Sequence, residues 1–275
     1  MASGAADCVL ALGFEQMNPG ALGAVFEDRP SPFERFDAAT NELVQSDLPL
    51  ALRYFAGAGK AHMDEFGTPL ETFAKIRAKA SRHAANNPLA VFRTVVTEQE
   101  VMQAKMLWPG VLTRLMACPP TCGAAAAIVC SAAFAQKHGL DQRVRIKAQA
   151  MTTDKPVTFE ARDMREVVGF SMARDAAQQV YEAAGIGPQD IDVVELHDCF
   201  AQNELLSYEA LGAAAVAQRK IGPRGQLCWE HQQIFISNAL AGWNVALCPV
   251  QDQDGLLDLY FASLLLGQVE PATHS

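Results

Sequence analysis

Asp190-Ile191-Asp192-Val193-Val194-Glu195-Leu196-His197-Asp198-Cys199-Phe200 joins a β-branched apolar run to side chains of several proton chemistries, and Ala201-Gln202-Asn203-Glu204 leads on into an apolar helical pattern. The run at 191–196 predicts a strand, and 203–211 predicts a helix that Gly212 ends. His197 and Cys199 then fall just past the carboxyl end of a strand, where α/β sheets collect ligands and catalytic groups. If the extended geometry persists, the two point to the same side, because side chains alternate along a strand. An imidazole near a thiol tunes its pKa and lets the pair move protons. From spacing alone, a solvent-facing loop with an incidental histidine and a buried cysteine fits equally well.

Upstream, Gly187-Pro188 makes a turn, and residues 163–184 place Met164, Val168, Met172, Ala176 and Val180 on one helical stripe, with Gly185 at the C-terminal cap. Residues 143–150 alternate Val144, Ile146 and Ala148 against Arg143, Arg145 and Lys147, which predicts a half-buried strand. Strand, helix, strand and helix with short links are the βαβα pattern of a layered α/β domain. Further back, the small-residue run from Gly123 reads as a buried strand, followed by a helix over 131–138 and a stop at Gly139. Cys8-Val9-Leu10-Ala11-Leu12-Gly13 reads as a strand covered on both faces. Such a strand needs neighbours, so material preceding residue 8 is expected. Between them, residues 18–120 are proline-punctuated and loop-rich, with helices expected over 69–85 and 98–107. Beyond Gly212 no steady period appears, and only a helix over 256–266 is expected.

The chain has 275 residues, 31 acidic against 22 basic, for a formal charge of −9 and a pI near 5.2. That balance disfavours nucleic-acid binding, which needs a basic face to neutralise phosphates. No apolar run reaches the roughly 18 residues of a membrane-spanning helix. Seven cysteines, an odd number, fit a reducing intracellular compartment, and Met1 to Asp7 carry no basic leader. Gly57-Ala58-Gly59-Lys60-Ala61 lacks the remaining residues of a P-loop or a dinucleotide fingerprint. Gly169-Phe170-Ser171-Met172-Ala173 has the spacing of a nucleophile elbow but lies in the helical stripe, so Ser171 reads as a surface serine. Cys118 and Cys122 lack a second ligand pair for zinc and read as packing thiols; no metal site is expected.

The segment 190–200 with Asn203-Glu204-Leu205-Leu206 resembles the thiolase superfamily, in the branch of the sterol carrier protein thiolases that His-Asp-Cys-Phe marks. Cys8 to Met17, Ala58-Gly59-Lys60-Ala61-His62-Met63 with Gly67-Thr68, Phe73-Ala74-Lys75-Ile76, Asn86-Asn87-Pro88 and Gly123 to Ile128 follow the same family in the same order. The similarity covers roughly residues 5–212.

The resemblance implies a partial αβαβα layered α/β fold with an inserted helical loop domain. Residues 5–140 would be the remnant of the first half, with 8–17 its fourth strand, 20–120 the loop domain and 123–140 the closing strand and helix. Residues 143–212 would open the second half, and 213–275 would be a divergent tail. It implies acyl transfer on 3-oxoacyl-coenzyme A, with coenzyme A as co-substrate and no other cofactor. His197 would bind a thioester oxygen in an oxyanion hole and Cys199 would be the acid/base; Asn203 and Glu204 would bind substrate. The family's Asn-Cys-Ala-Thr-Gly nucleophile motif and its Gly-His-Pro motif have no counterpart in residues 1–275, since His231 and His274 lack that context, and Cys122 stands where the family has Asp. A chain impaired in the covalent step is therefore expected, the alternative being a non-catalytic acyl-CoA-binding or partner-binding protein. The family homodimer is in doubt for this chain. Peroxisomal or mitochondrial placement follows from the resemblance, cytoplasmic being the alternative.

Overall fold

A computed structural model of the protein describes residues 3–17 and 28–212, and beyond them the backbone of the strands Ala217–Lys220, Gln226–Trp229, Gln232–Phe235, Asn244–Pro249, Leu257–Phe261 and Leu264–Val269. The chain divides into two compact units, residues 1–185 with 195–207, and residues 186–194 with 208–275.

In the first unit, β1 (Cys8–Glu15) pairs antiparallel with β4 (Gly123–Cys130) over its whole length. Cys8, Leu10, Leu12 and Phe14 share one face of the ribbon, and Val9, Ala11 and Gly13 the other. Both faces are apolar, as the sequence requires of a strand covered on two sides, yet Phe14 is 78% exposed and the ribbon has only two strands among the described residues.

The core lies instead in the helical insertion. α1 (Glu34–Leu43), α2 (Leu50–Phe66) and α3 (Leu70–Ala85) are followed by the short α4 (Glu98–Gln103) and the small hairpin of β2 (Met106–Trp108) with β3 (Leu112–Thr113). Ala56, Ala58, Phe73, Ala74, Val101, Leu112 and Met116 are buried there. Two later elements join this core: Met164 and Val167 of α7 (Met164–Val167) and Leu206 of α9 (Ala201–Ala210) pack with Val44 and Ala58. α5 (Ala132–Lys137) is capped by Ser131 Oγ, which accepts from Phe134 N, and the single turn α6 (Val157–Glu160) precedes α7.

Several expected elements differ. The helix over 98–107 stops at Gln103: a reciprocal Thr97–Glu100 capping box starts it, and the chain then turns into β2. The stripe over 163–184 is broken into α7 and α8 (Phe170–Ala184), because Gly169 takes φ +90°, a left-handed conformation that no helix interior allows. Ser171 is buried, not on the surface, and its Oγ donates to Glu166 Oε1 at 2.8 Å. The strands expected over 143–150 and 191–196 do not form. Val144 is 93% exposed and Val193 84%: an extended run becomes a strand only when a neighbour takes up its N–H and C=O groups, and none does so among the described residues.

In the second unit, β5 (Ala217–Lys220), β8 (Asn244–Pro249), β9 (Leu257–Phe261) and β10 (Leu264–Val269) form an antiparallel sheet in the order β10-β9-β8-β5, and β6 (Gln226–Trp229) pairs with β7 (Gln232–Phe235). The helix expected over 256–266 is thus two strands where it is described. Leu257, Leu259 and Phe261 recur every second residue, a strand period. His231 and His274 lie outside the described residues. The fold is mixed α/β, a partial form of the layered architecture expected, with the helical insertion in place.

Candidate functional site

The segment that carries His197 and Cys199 is held by backbone pairing to a distant stretch of chain. Ala117 and Phe200 form an antiparallel bridge, and Cys118 N donates to Cys199 O at 2.8 Å. Phe200 is buried, and its ring stacks on Phe55 of α2 with centroids 5.0 Å apart. Helix α9 begins at the next residue, so the apolar phenylalanine anchors the point where loop becomes helix.

The first turn of α9 locks that geometry with polar side chains. Gln202 is fully buried; its Nε2 donates to Val111 O at 2.9 Å and lies 3.8 Å from Met116 Sδ. Asn203 Nδ2 donates to His197 O at 3.0 Å, folding the loop back on the helix start. Glu204 is buried and ion-paired with Lys79 of α3. Asn203 therefore braces the loop and Glu204 ties α9 to α3. The glycines of the Gly-Ala-Gly-Lys stretch line helix contacts, Gly57 against Val44 and Met164 and Gly59 against Gln202. They lie inside α2, where a Cβ on Gly59 would stand 2.3 Å from Gln202 Cγ.

Burial shapes the proton chemistry. The Cys199 thiol is pushed up to about 12, by desolvation first and then by the neighbouring Cys118 and Asp198. Burial also raises Cys118, with Asp198 adding to it. Asp198 is held above the ordinary carboxylate range by burial and by Glu204, while Arg77 and His197 oppose the shift. Cys199 is therefore a protonated thiol at neutral pH. It can give a proton to a carbanion formed beside it, but it is a poor nucleophile.

His197 is exposed and its ring acts on Asp198; Cys199 is half-buried and feels Cys118 and Asp198. Sequence reasoning missed Cys118, Asp198, Arg77 and Lys79. Asp198 lay within the motif and could have been read there. The others are brought to it only by the Ala117–Phe200 bridge and the docking of α9 on α3, which no local pattern announces. Among the described residues no group of three or more histidine, cysteine or carboxylate side chains is arranged for a metal.

The profile of the thiolase C-terminal domain-like family matches residues 156–229. Sterol carrier protein 2 of Rattus norvegicus is 48% identical over 217 residues, 78% of this chain and 40% of that protein. The chain thus spans about two fifths of the length of that relative. Among solved structures, the Ltp2–ChsH2(DUF35) aldolase superposes with a TM-score of 0.62 at 22% identity, over 78% of this chain and 54% of its own. A monomeric SCP2-thiolase-like protein type 1 from Mycobacterium smegmatis does so with 0.55 at 20% identity, over 78% and 43%. At those identities the structures bear on the fold alone.

Proposed function

We infer, from a chain that resembles the thiolase superfamily in sequence and fold and whose lineage is lipid-related, that it binds 3-oxoacyl-coenzyme A and carries the proton-transfer part of a thiolase site. The observation that supports this reading best is the backbone pairing of the loop: the Ala117–Phe200 bridge and the Cys118 N to Cys199 O bond hold a half-buried Cys199 two residues from the exposed His197.

In this reading the His197 ring donates to the thioester oxygen as negative charge grows there, a contribution of about 10²–10³ in rate for one such donor. Cys199 then gives its proton to the enolate carbon, and in the condensation direction the minor thiolate form of Cys199 takes one from that carbon. Asn203 and Glu204, expected to bind substrate, serve it here by holding this loop in place. The residues 1–275 contain no counterpart of the Asn-Cys-Ala-Thr-Gly and Gly-His-Pro motifs, so the reading gives this chain no covalent nucleophile and at most trace thiolysis. Coenzyme A is the co-substrate, and peroxisomal or mitochondrial placement belongs to the same proposal. The absent motifs favour a second reading, an acyl-CoA-binding protein without turnover.

Solvent exchange separates the two readings. Acetoacetyl- or acetyl-coenzyme A is incubated with the 275-residue chain in D₂O, and deuterium at C2 is followed by NMR. The proposal expects exchange above the buffer rate, lost in Cys199→Ala and lowered about 10²-fold in His197→Ala. Binding without exchange would establish the second reading. Robust thiolysis abolished by Cys199→Ala would overturn the roles assigned above.

A further inference from the structure

Two pairs of cysteines face each other across antiparallel backbone, and their pairing geometry differs. Cys8 opposes Cys130 in the β1–β4 register. Ser131 N donates to Asp7 O at 2.8 Å, so Asp7–Ser131 is a hydrogen-bonded pair and Cys8–Cys130, the next one along, is not. Cys118 opposes Cys199 one step from the Ala117–Phe200 bridge, and the Cys118 N to Cys199 O bond makes theirs the hydrogen-bonded kind.

Opposed residues put their side chains on one face. In non-hydrogen-bonded pairs the Cα atoms approach to about 4.5 Å with side chains close, against about 5.5 Å in the other kind. A disulfide needs Cα atoms about 4.4–6.8 Å apart and Cβ atoms about 3.5–4.5 Å apart. The Cβ requirement selects Cys8 and Cys130. Both are free thiols; Cys8 is exposed and Cys130 partly so.

We propose that Cys8 and Cys130 are a modification site, a thiol pair that closes to a disulfide when it meets a low-molecular-weight disulfide such as oxidised glutathione. One cysteine, as thiolate, attacks a glutathione sulfur and expels one glutathione thiolate, which takes up a proton. The other attacks the protein sulfur of that mixed disulfide and expels the second glutathione. Two protein thiols give up two electrons and two protons to form one S–S bond, and one oxidised glutathione becomes two reduced ones.

The bond would tie the start of β1 to the end of β4 and close a loop containing the helical insertion. Cross-links that close long loops constrain the unfolded chain most. Among the described residues the ribbon this bond would staple has two strands, too few to be stable by themselves in water. Cys199 gives an internal contrast, because burial keeps its thiol protonated and slow to exchange although Cys118 opposite it is exposed.

The 275-residue chain is incubated at neutral pH with oxidised glutathione, trapped with N-ethylmaleimide, digested without reductant and mapped by mass spectrometry. The expected product is a peptide joining Cys8 to Cys130 that disappears on reduction, with Cys118 and Cys199 alkylated. Hydrogen exchange across 8–15 and 123–130 slows after oxidation, and Cys130→Ala carries a glutathione adduct on Cys8 instead. The proposal is overturned if Cys8 and Cys130 of the unaltered chain stay alkylatable or keep separate glutathione adducts. It is equally overturned if they join only between copies of the chain, or if Cys118–Cys199 closes first.

Discussion

Gly59 in α2 and Gln202 in α9 meet so closely that any side chain on the glycine would occupy the space of the glutamine: a Cβ there would lie 2.3 Å from Gln202 Cγ and 2.9 Å from Gln202 Cβ. The contact lets the start of α9, and with it the loop of His197 and Cys199, rest directly on the insertion.

Gly59→Ala is therefore expected to destabilise the chain by about 1–3 kcal/mol through overpacking, more than the ~1 kcal/mol that alanine adds as a helix former. Gln202→Ala in the same chain should recover part of the loss, since the two side chains compete for one volume. Urea denaturation of the single and double variants measures both. Equal losses with and without Gln202 would show that the crowding lies elsewhere.

Asp198 is flanked by charges of both signs, which gives an electrostatic test that packing cannot mimic. Burial is the main cause of its raised pKa, Glu204 adds to it, and Arg77 opposes it. Glu204→Gln should lower the Asp198 pKa and Arg77→Met should raise it, followed by carboxyl carbon chemical shifts through an acid titration. Shifts in the same direction would mean that the variants act by rearranging the loop.

Burial raises Cys199 from the ordinary thiol value of 9.0 to about 12, and stability should follow. The folded chain keeps a proton that the unfolded chain gives up, so this contribution is fully present below pH about 9 and is lost as the pH rises from about 9 to about 12. Cys199→Ala removes it. The difference in denaturation midpoint between the two chains should shrink or invert over that range, while alkylation of Cys199 stays slow at pH 8 compared with the denatured chain. Fast alkylation in the folded state would show an exposed thiolate and remove the proton-donor role.

How much of this was legible depended on where each element finds its partner. Helices α3 and α9 close their hydrogen bonds internally, and their apolar spacing with Gly212 at the end was readable within two residues. Residues 143–150 and 191–196 have strand sequences, but a strand exists only with a neighbour, and their pattern holds no information on whether one is present. Gly169 broke a stripe that periodicity saw as continuous, since a hydrophobic pattern survives a turn that its backbone does not. At the candidate site, His197 and Cys199 were singled out from the motif alone, as candidates. Cys118 and Lys79 were not, because they reach it through pairing and packing between segments far apart in sequence.

The same contrast sets a hierarchy of opening. β1 and β4 carry Leu10, Leu12, Phe14 and Ile128 on exposed faces, so little apolar burial resists separation of the strands, and a two-stranded ribbon gains little from its own hydrogen bonds. In α2 and α3, by contrast, Ala56, Ala58, Phe73 and Ala74 are fully buried, and opening them exposes the core of the insertion. Amide exchange should therefore be fast at 8–15 and 123–130 and slowest at 56–62 and 73–81, with residues 191–196 exchanging at nearly unprotected rates. The exposed apolar faces should also make the chain self-associate more as concentration rises, which sedimentation velocity would follow, because flat apolar strands with open edges invite pairing. Strong protection at both 8–15 and 191–196 in a monodisperse species would show that other segments cover these runs in solution, and would overturn the ranking.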